Sequence, residues 1–264
     1  MIGIFDSGMG GLSVARAIRE QAPSVDLVYF GDIANMPYGT KDLETLERLT
    51  LRAMRLLRQE GATHLVSACN TASTSVIRPL LELFGMGESG LTEMVGPSVE
   101  YLRSVTAGLV VVVATPATVQ SGVYQESLRA VGLEVQMIAS PDLAPAIEFG
   151  AAENVVQEKV SVVVDEALRI GCDTLMMGST HYALVSDVFQ QELTRRGSSC
   201  TVFDPAQAVA KKALENAREL GSGQTKFILS RDSTNFRRYV ENHFPPNSYT
   251  FEIREEGHSP NVAA

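Results

Sequence analysis

The sequence is poor in cysteine. Cys69, Cys172 and Cys200 make an odd count without paired spacing, so no disulfide framework or zinc pattern is visible and a reducing cytosol is expected. A long apolar run is also missing. The longest, Leu109 to Ala114, is far too short to span a bilayer, and no basic leader precedes the strand expected at Ile2–Phe5. Positive charge is in deficit: 22 Lys and Arg against 31 Asp and Glu leave a net charge of −9, which argues against broad nucleic-acid binding. The glycine-rich stretch Asp6-Ser7-Gly8-Met9-Gly10-Gly11 lacks the Lys-Ser/Thr of a P-loop and the spacing of a dinucleotide fingerprint. No segment is of low complexity.

What remains is an ordinary globular composition, 45% hydrophobic with mean hydropathy +0.05, at a length that suits one large α/β domain or two small ones. Strand and helix patterns alternate, which favours parallel sheets. Strands are expected at Ile2–Phe5, Leu27–Phe30, Leu65–Val66, Leu109–Ala114, Glu134–Ile138, Thr174–Met177, Thr201–Phe203, Lys226–Leu229 and Tyr249–Ile253, with a short apolar piece at Met94–Val95. Helices are expected at Gly10–Ala22, Asp42–Glu60, Thr71–Leu83, Ala117–Val131, Glu153–Ile170, Val185–Arg196, Pro205–Leu220 and Thr234–Asn242. Pro97 fits the start of a further helix, and Gly85–Gly90 marks a glycine-rich break.

The chain is organised around His64 to Ser75. A buried strand there delivers Cys69, Asn70 and Thr71 to a helix start, with Thr71 or Ser73 able to cap it. The carboxyl edge of an open α/β sheet is where ligands bind. Free N–H groups and the helix dipole would hold a carboxylate and ease thiolate formation. The plainer alternative is a packed core cysteine. An echo 110 residues later weighs against it: Asp173 to Leu184 repeats the design and aligns Ser179-Thr180-His181 with Cys69-Asn70-Thr71. Two similar strand ends invite a two-sided site, with a thiol on one face and a hydroxyl on the other. Asp6, at the end of the first strand, is expected to project into the same cleft, unless Asp6 and Ser7 simply cap a helix. Asp32 ends the second strand, and Pro37-Tyr38-Gly39-Thr40 reads as a tight turn displaying Tyr38.

Taken in order, FDSGMGGLSV, YFGD…PYGT, ACNTAS, ATPATVQSGVY and GSTHYAL resemble the glutamate racemases of the cofactor-independent aspartate/glutamate racemase superfamily. The resemblance implies two pseudo-symmetric α/β lobes with mostly parallel sheets and the active site between them. The first lobe would comprise residues 1–96 plus 208–264, and the second 97–207. It further implies a cytoplasmic homodimer that acts on glutamate, supplies peptidoglycan synthesis, and needs no cofactor, metal, nucleic acid or membrane. By the same resemblance Cys69 is one of two acid/base cysteines and faces the α-proton of D-glutamate. Asp6 stands beside it, His181 assists on the second lobe, and Asp32 and Glu148 are supporting carboxylates. Ser7, Pro37, Tyr38, Gly39, Asn70, Thr71, Thr115, Thr118 and Thr180 match positions that hold the amino acid.

The departure is Ser179, where the family pattern has cysteine. A hydroxyl is a far weaker acid than a thiol, so one half of a two-base machine is missing. Cys172 lies at the far end of the same strand and cannot replace it. Three readings stay open: a racemase whose working form has the cysteine, a non-catalytic binder of glutamate or of a protein partner, and a one-sided enzyme such as a decarboxylase. Against the last, single-cysteine decarboxylases of the superfamily keep their cysteine on the other lobe. A Ser179–His181 hydrolase pair has little support, since no G-x-S-x-G elbow surrounds Ser179.

Overall fold

A computed structural model describes residues 1–83, 90–106, 108–216 and 221–255. The first strands in chain order are β1 (Ile2–Asp6), β2 (Leu27–Gly31), β3 (His64–Ser67) and β4 (Leu91–Thr92). They are followed by β5 (Val110–Ala114), β6 (Val135–Ala139), β7 (Thr174–Gly178) and β8 (Thr201–Phe203), then β9 (Thr225–Leu229) and β10 (Tyr249–Ile253). They form two sheets, ordered β10-β9-β2-β1-β3-β4 and β6-β5-β7-β8, and every pairing is parallel. The fold is α/β with two parallel sheets. The central strands β1, β2, β3, β5 and β7 are buried along their whole length, as continuous apolar runs covered on both faces must be. The edge strands β6 and β10 mix buried or half-buried with exposed positions instead.

The register sets up the chemistry. Asp6 pairs with Gly31, and Phe5 with Ser67, so Asp6, Asp32 and Cys69 leave one sheet edge together. In the second sheet Ala114 pairs with both Ala139 and Gly178, which brings Thr115 and Ser179 to the matching edge. The tail belongs to the first sheet through β9 and β10, and helix Ala206–Asn216 packs on helix Leu12–Gln21 in the same core. The expected boundaries at 96/97 and 207/208 fall inside helices Val95–Val105 and Ala206–Asn216. The tail also carries the aromatic centre of this core. Phe227 is fully buried and lies 5.3–6.1 Å, centroid to centroid, from Tyr29, Phe236, Phe244, Tyr249 and Phe251. Phe227→Ala is therefore expected to cost ~3–5 kcal/mol in urea unfolding. A loss below ~1 kcal/mol would show that the tail strands are not part of the cooperative core.

Several expectations differ from what forms. Thr71 and Ser73 do not cap their helix: Cys69 is the N-cap residue, without a side-chain cap. The Ser73 hydroxyl is engaged by Ser67 at 2.9 Å and that of Thr71 by Thr115 at 3.1 Å. The helix itself is Asn70–Ala72, a π turn at Ser73–Ile77, then Arg78–Leu83. Pro79 has no N–H to offer the carbonyl four residues back, so a regular ladder cannot run through. The helix expected over Ala117–Val131 is two, Pro116–Gln120 and Val123–Ala130. They break at Gly122, whose φ of 72° is left-handed. Met94–Val95 opens helix Val95–Val105, and the edge strand is Leu91–Thr92 instead. Short helices Leu143–Glu148 and Thr180–Ala183 were too brief to show a period. Residues 85–89 of the glycine-rich break, and 217–220 of the helix expected to reach Leu220, lie outside the described residues.

The three thiols are free and buried. Cys172 and Cys200, unpaired by spacing, nonetheless meet at 3.1 Å between sulfurs, because β7 and β8 begin side by side. Cys172 thus precedes β7 at the end opposite Ser179, with the whole five-residue strand, roughly 17 Å long, between them.

Candidate active site

The two sheet edges face each other across a tightly closed cleft with a cavity of only about 20 Å³ between them. Ser7, Pro37, Tyr38, Gly39, Cys69, Asn70 and Thr71 line it from the first sheet, and Thr115, Ser179, Thr180 and His181 from the second. Met36 and Ala144 complete the lining. Cys69 and Ser179 occupy equivalent positions. Each follows a parallel strand with extended backbone, each is the N-cap of a short helix, and neither is more than 4% exposed. A larger cleft of about 460 Å³ runs between Arg78, Val95, Arg103 and Val123. It contains none of these strand-end side chains, so volume does not mark the chemistry.

Asp6, Asp32, Glu148 and Thr118 stand behind the lining. Asp6 was expected to project into the cleft; instead its carboxylate accepts from the Gly8 N–H at 2.9 Å and the Thr180 hydroxyl at 3.1 Å. It is no helix cap either, because Gly11 takes that position without a side-chain bond. Glu148 Oε2 accepts from the Met9 N–H at 2.8 Å and meets His181 Nε2 at 2.7 Å, tying the glycine-rich loop of the first sheet to the second. Asp32 accepts from Tyr38 OH and Arg52, both at 2.8 Å, and from Asn35 at 3.0 Å, which fixes the turn carrying Pro37 and Gly39. Thr118 joins Thr71 and Thr115 in a hydroxyl cluster spanning both sheets, with separations of 3.1–3.4 Å.

Burial governs the titrations. It pushes the Cys69 thiol up to about 12, helped by the Asp6 charge; opposing hydrogen bonds from Ala72 and Ser7 are too weak to offset it. The expectation that the helix start eases thiolate formation is thus reversed, since a short helix end cannot replace lost water. Burial likewise raises the Asp6 carboxyl above the ordinary range, against the pull of His181. For His181 burial works downward, but the hydrogen bond and charge of Glu148, with Asp6 behind, leave it raised and favour imidazolium. Apart from His181, no cation lines the cleft among the described residues. No three His, Cys, Asp or Glu side chains among them are grouped to hold a metal ion.

Some members were not anticipated. Met36 and Ala144 sit beside the Pro37 and Pro145 segments already singled out. Arg52, Asn35 and Asn235, whose amide donates to the Glu148 carbonyl at 3.0 Å, carry no local signal. Tyr124 lies within ATPATVQSGVY, and its hydroxyl donates to Asn70 Oδ1 at 2.6 Å.

This arrangement has known relatives. A glutamate racemase of Aquifex aeolicus is 37% identical over 241 residues, covering 91% of this chain and 92% of that protein. In three dimensions the chain is similar to a glutamate racemase isoform of Bacillus anthracis, with TM-score 0.84, 26% identity and 97% of each chain covered. It is also similar to the glutamate racemase of Aquifex pyrophilus, with TM-score 0.77, 30% identity, and 96% and 97% covered. The Asp/Glu/Hydantoin racemase family matches residues 2–213. With residues 2–213 matching the family and relatives alike over nine-tenths of their length, the chain belongs to the Asp/Glu/Hydantoin racemase family and is an amino-acid racemase.

Proposed function

We propose that the chain acts on glutamate, moving the α-proton between Cys69 on one face and the residue at 179 on the other, and that its product supplies D-glutamate to peptidoglycan. The reading rests on the equivalent N-cap positions of Cys69 and Ser179 at the ends of two facing strands. The names of the relatives support the substrate. Hydroxyls, the Asn70 amide and backbone N–H groups can grip two carboxylates with few cations. The first lobe, 1–96 plus 208–264, presents Cys69 with Asp6; the second, 97–207, presents position 179 with His181 and Glu148. A neutral Cys69 thiol is the resting form. The substrate's α-ammonium, placed beside it, lowers the cost of the thiolate that takes the proton. His181 as imidazolium stabilises negative charge developing near position 179. With Ser179 there, proton delivery on the second face is impaired and turnover is slow.

Calorimetry with D- and L-glutamate and with aspartate tests the substrate, and circular dichroism tests racemisation. Heat with glutamate and a slow decay of optical rotation are expected. Binding without any turnover would favour a glutamate-binding homologue, and no heat with any of the three a protein-binding module.

The glycine-rich loop makes a further demand. A Cβ on Gly10 would lie 2.5 Å from Thr180 Oγ1 and 2.7 Å from both the His181 N–H nitrogen and Nδ1. One on Gly8 would collide with the Glu148 carboxylate. Backbone cannot yield locally, so Gly10→Ala must spread the two edges. We expect glutamate affinity to fall ~10-fold or more, with a near-native circular dichroism spectrum, because misplacement by about 1 Å is this expensive at such sites. Unchanged affinity would mean that the lobes need not close this tightly.

A further inference from the structure

Asn70 lines the cleft and is only 3% exposed, yet its two amide ends are treated differently. Oδ1 accepts a 2.6 Å hydrogen bond from Tyr124 OH, whereas Nδ2 is buried with no partner among the described residues. Tyr124 is fully buried in the core of the second sheet, among Leu128, Val110 and Met176. Phenylalanine would fill that core equally well. What the hydroxyl adds, beside a hydrogen bond with Ser98, is a contact to a cleft residue, Asn70.

A hydroxyl that donates to an amide oxygen fixes which end of the amide is left over. Here the leftover end carries two N–H donors and no acceptor. A buried donor without a partner is costly, and a carboxylate oxygen satisfies it with a charge-assisted bond. We propose that Tyr124 is a positioning residue that presents the Asn70 amide donor-first, so that the site selects a carboxylate over a carboxamide at that place on the substrate. This rests on the glutamate reading and refines it. Without the Tyr124 hydroxyl the amide is free to turn about its last torsion, and an oxygen facing the cleft would repel a carboxylate while accepting from a carboxamide.

The test compares D-glutamate with its two monoamides, D-glutamine and D-isoglutamine, by calorimetry on the wild-type chain, Tyr124→Phe and Asn70→Asp. Tyr124→Phe is expected to weaken D-glutamate binding about 10- to 100-fold, the span of one charge-assisted bond. It should also narrow the preference for glutamate over one monoamide by a similar factor. Asn70→Asp, which keeps an acceptor for Tyr124 and removes the donors, should lower that preference further and stands in if Tyr124→Phe does not fold. Equal weakening of all three ligands, or no change, would overturn the proposal and leave Tyr124 a packing residue. If the wild-type chain binds none of them, the glutamate reading fails. The orientation is then judged without ligand, from the Asn70 side-chain NH2 signals in nitrogen–proton spectra, assigned by their loss in Asn70→Asp. These should shift in Tyr124→Phe, and unshifted signals would overturn the proposal independently of any substrate.

Discussion

Replacing Ser179 with cysteine is expected to raise glutamate racemisation by ~10²–10⁴-fold, the span of one well-placed general acid or base. The exchange of oxygen for sulfur supplies a group whose ordinary pKa, about 8.5, lies within reach of neutrality. The position is prepared for it. Ser179 is 4% exposed, ends β7 in extended backbone, and precedes Thr180 and His181 on the short helix it caps. His181, whose pKa Glu148 raises against burial, would favour the thiolate there whenever it carries its proton. The substitution adds little volume, so the melting temperature should hardly move. Ser179→Ala serves as the reference for a face with no transferable proton. If Ser179→Cys turns over no faster than the parent, position 179 is not the missing half, and the two-base reading loses its main support.

In deuterated water, the chain as it stands should exchange the α-hydrogen of D-glutamate far faster than it produces L-glutamate. Cys69 takes the proton from one face. Ser179 rarely returns one from the other, so the carbanion is mostly quenched from the side it left. L-Glutamate directs its proton at Ser179 and should exchange far more slowly. Exchange should also be slow in absolute terms, because the thiol is pushed up to about 12 by burial and Asp6. The sign of its pH dependence follows. A group that reacts as its deprotonated form, with a raised pKa, gains active fraction as pH rises, so the rate should climb between pH 7 and 9. Proton NMR of each enantiomer over hours reads all of this, with Cys69→Ser as the control. Equal exchange of both enantiomers, or exchange that survives in the control, would sink the one-sided thiol mechanism.

The alternation of apolar runs and helical periods in this sequence was enough to place every described strand but the short edge strand Leu91–Thr92 within a residue or two and to favour parallel sheets, because covering both faces of a strand leaves a local signature. The repeat of Cys69-Asn70-Thr71 in Ser179-Thr180-His181 marked two strand ends of one design. The glycines of the Asp6–Gly11 stretch marked a backbone approached closely. Breaks inside helices were less legible: Pro79 and Gly122 sit within otherwise regular apolar patterns, and only their neighbours decide whether the helix bends, changes pitch or ends.

What tertiary structure alone decided has a common cause, contact between residues distant in the chain. Strand order in each sheet brings Asp6 against Thr180 and Glu148 against both Met9 and His181, which turns Asp6, expected in the cleft, into a support and ties Glu148, expected as a support, to both sheets. Burial reverses the effect of the helix start on Cys69, a balance between lost hydration and a weak dipole that no local pattern encodes. The meeting of Cys172 with Cys200, and of Tyr124 with Asn70, depends on where two strands begin and how two lobes close. The sequence by itself determined which residue types arrive at the sheet edges. The packing of the edges against each other decided which of those side chains face the cleft and which merely hold their neighbours in place. Chain-local periodicity reports on one face of one element, whereas a site between two lobes is defined by both.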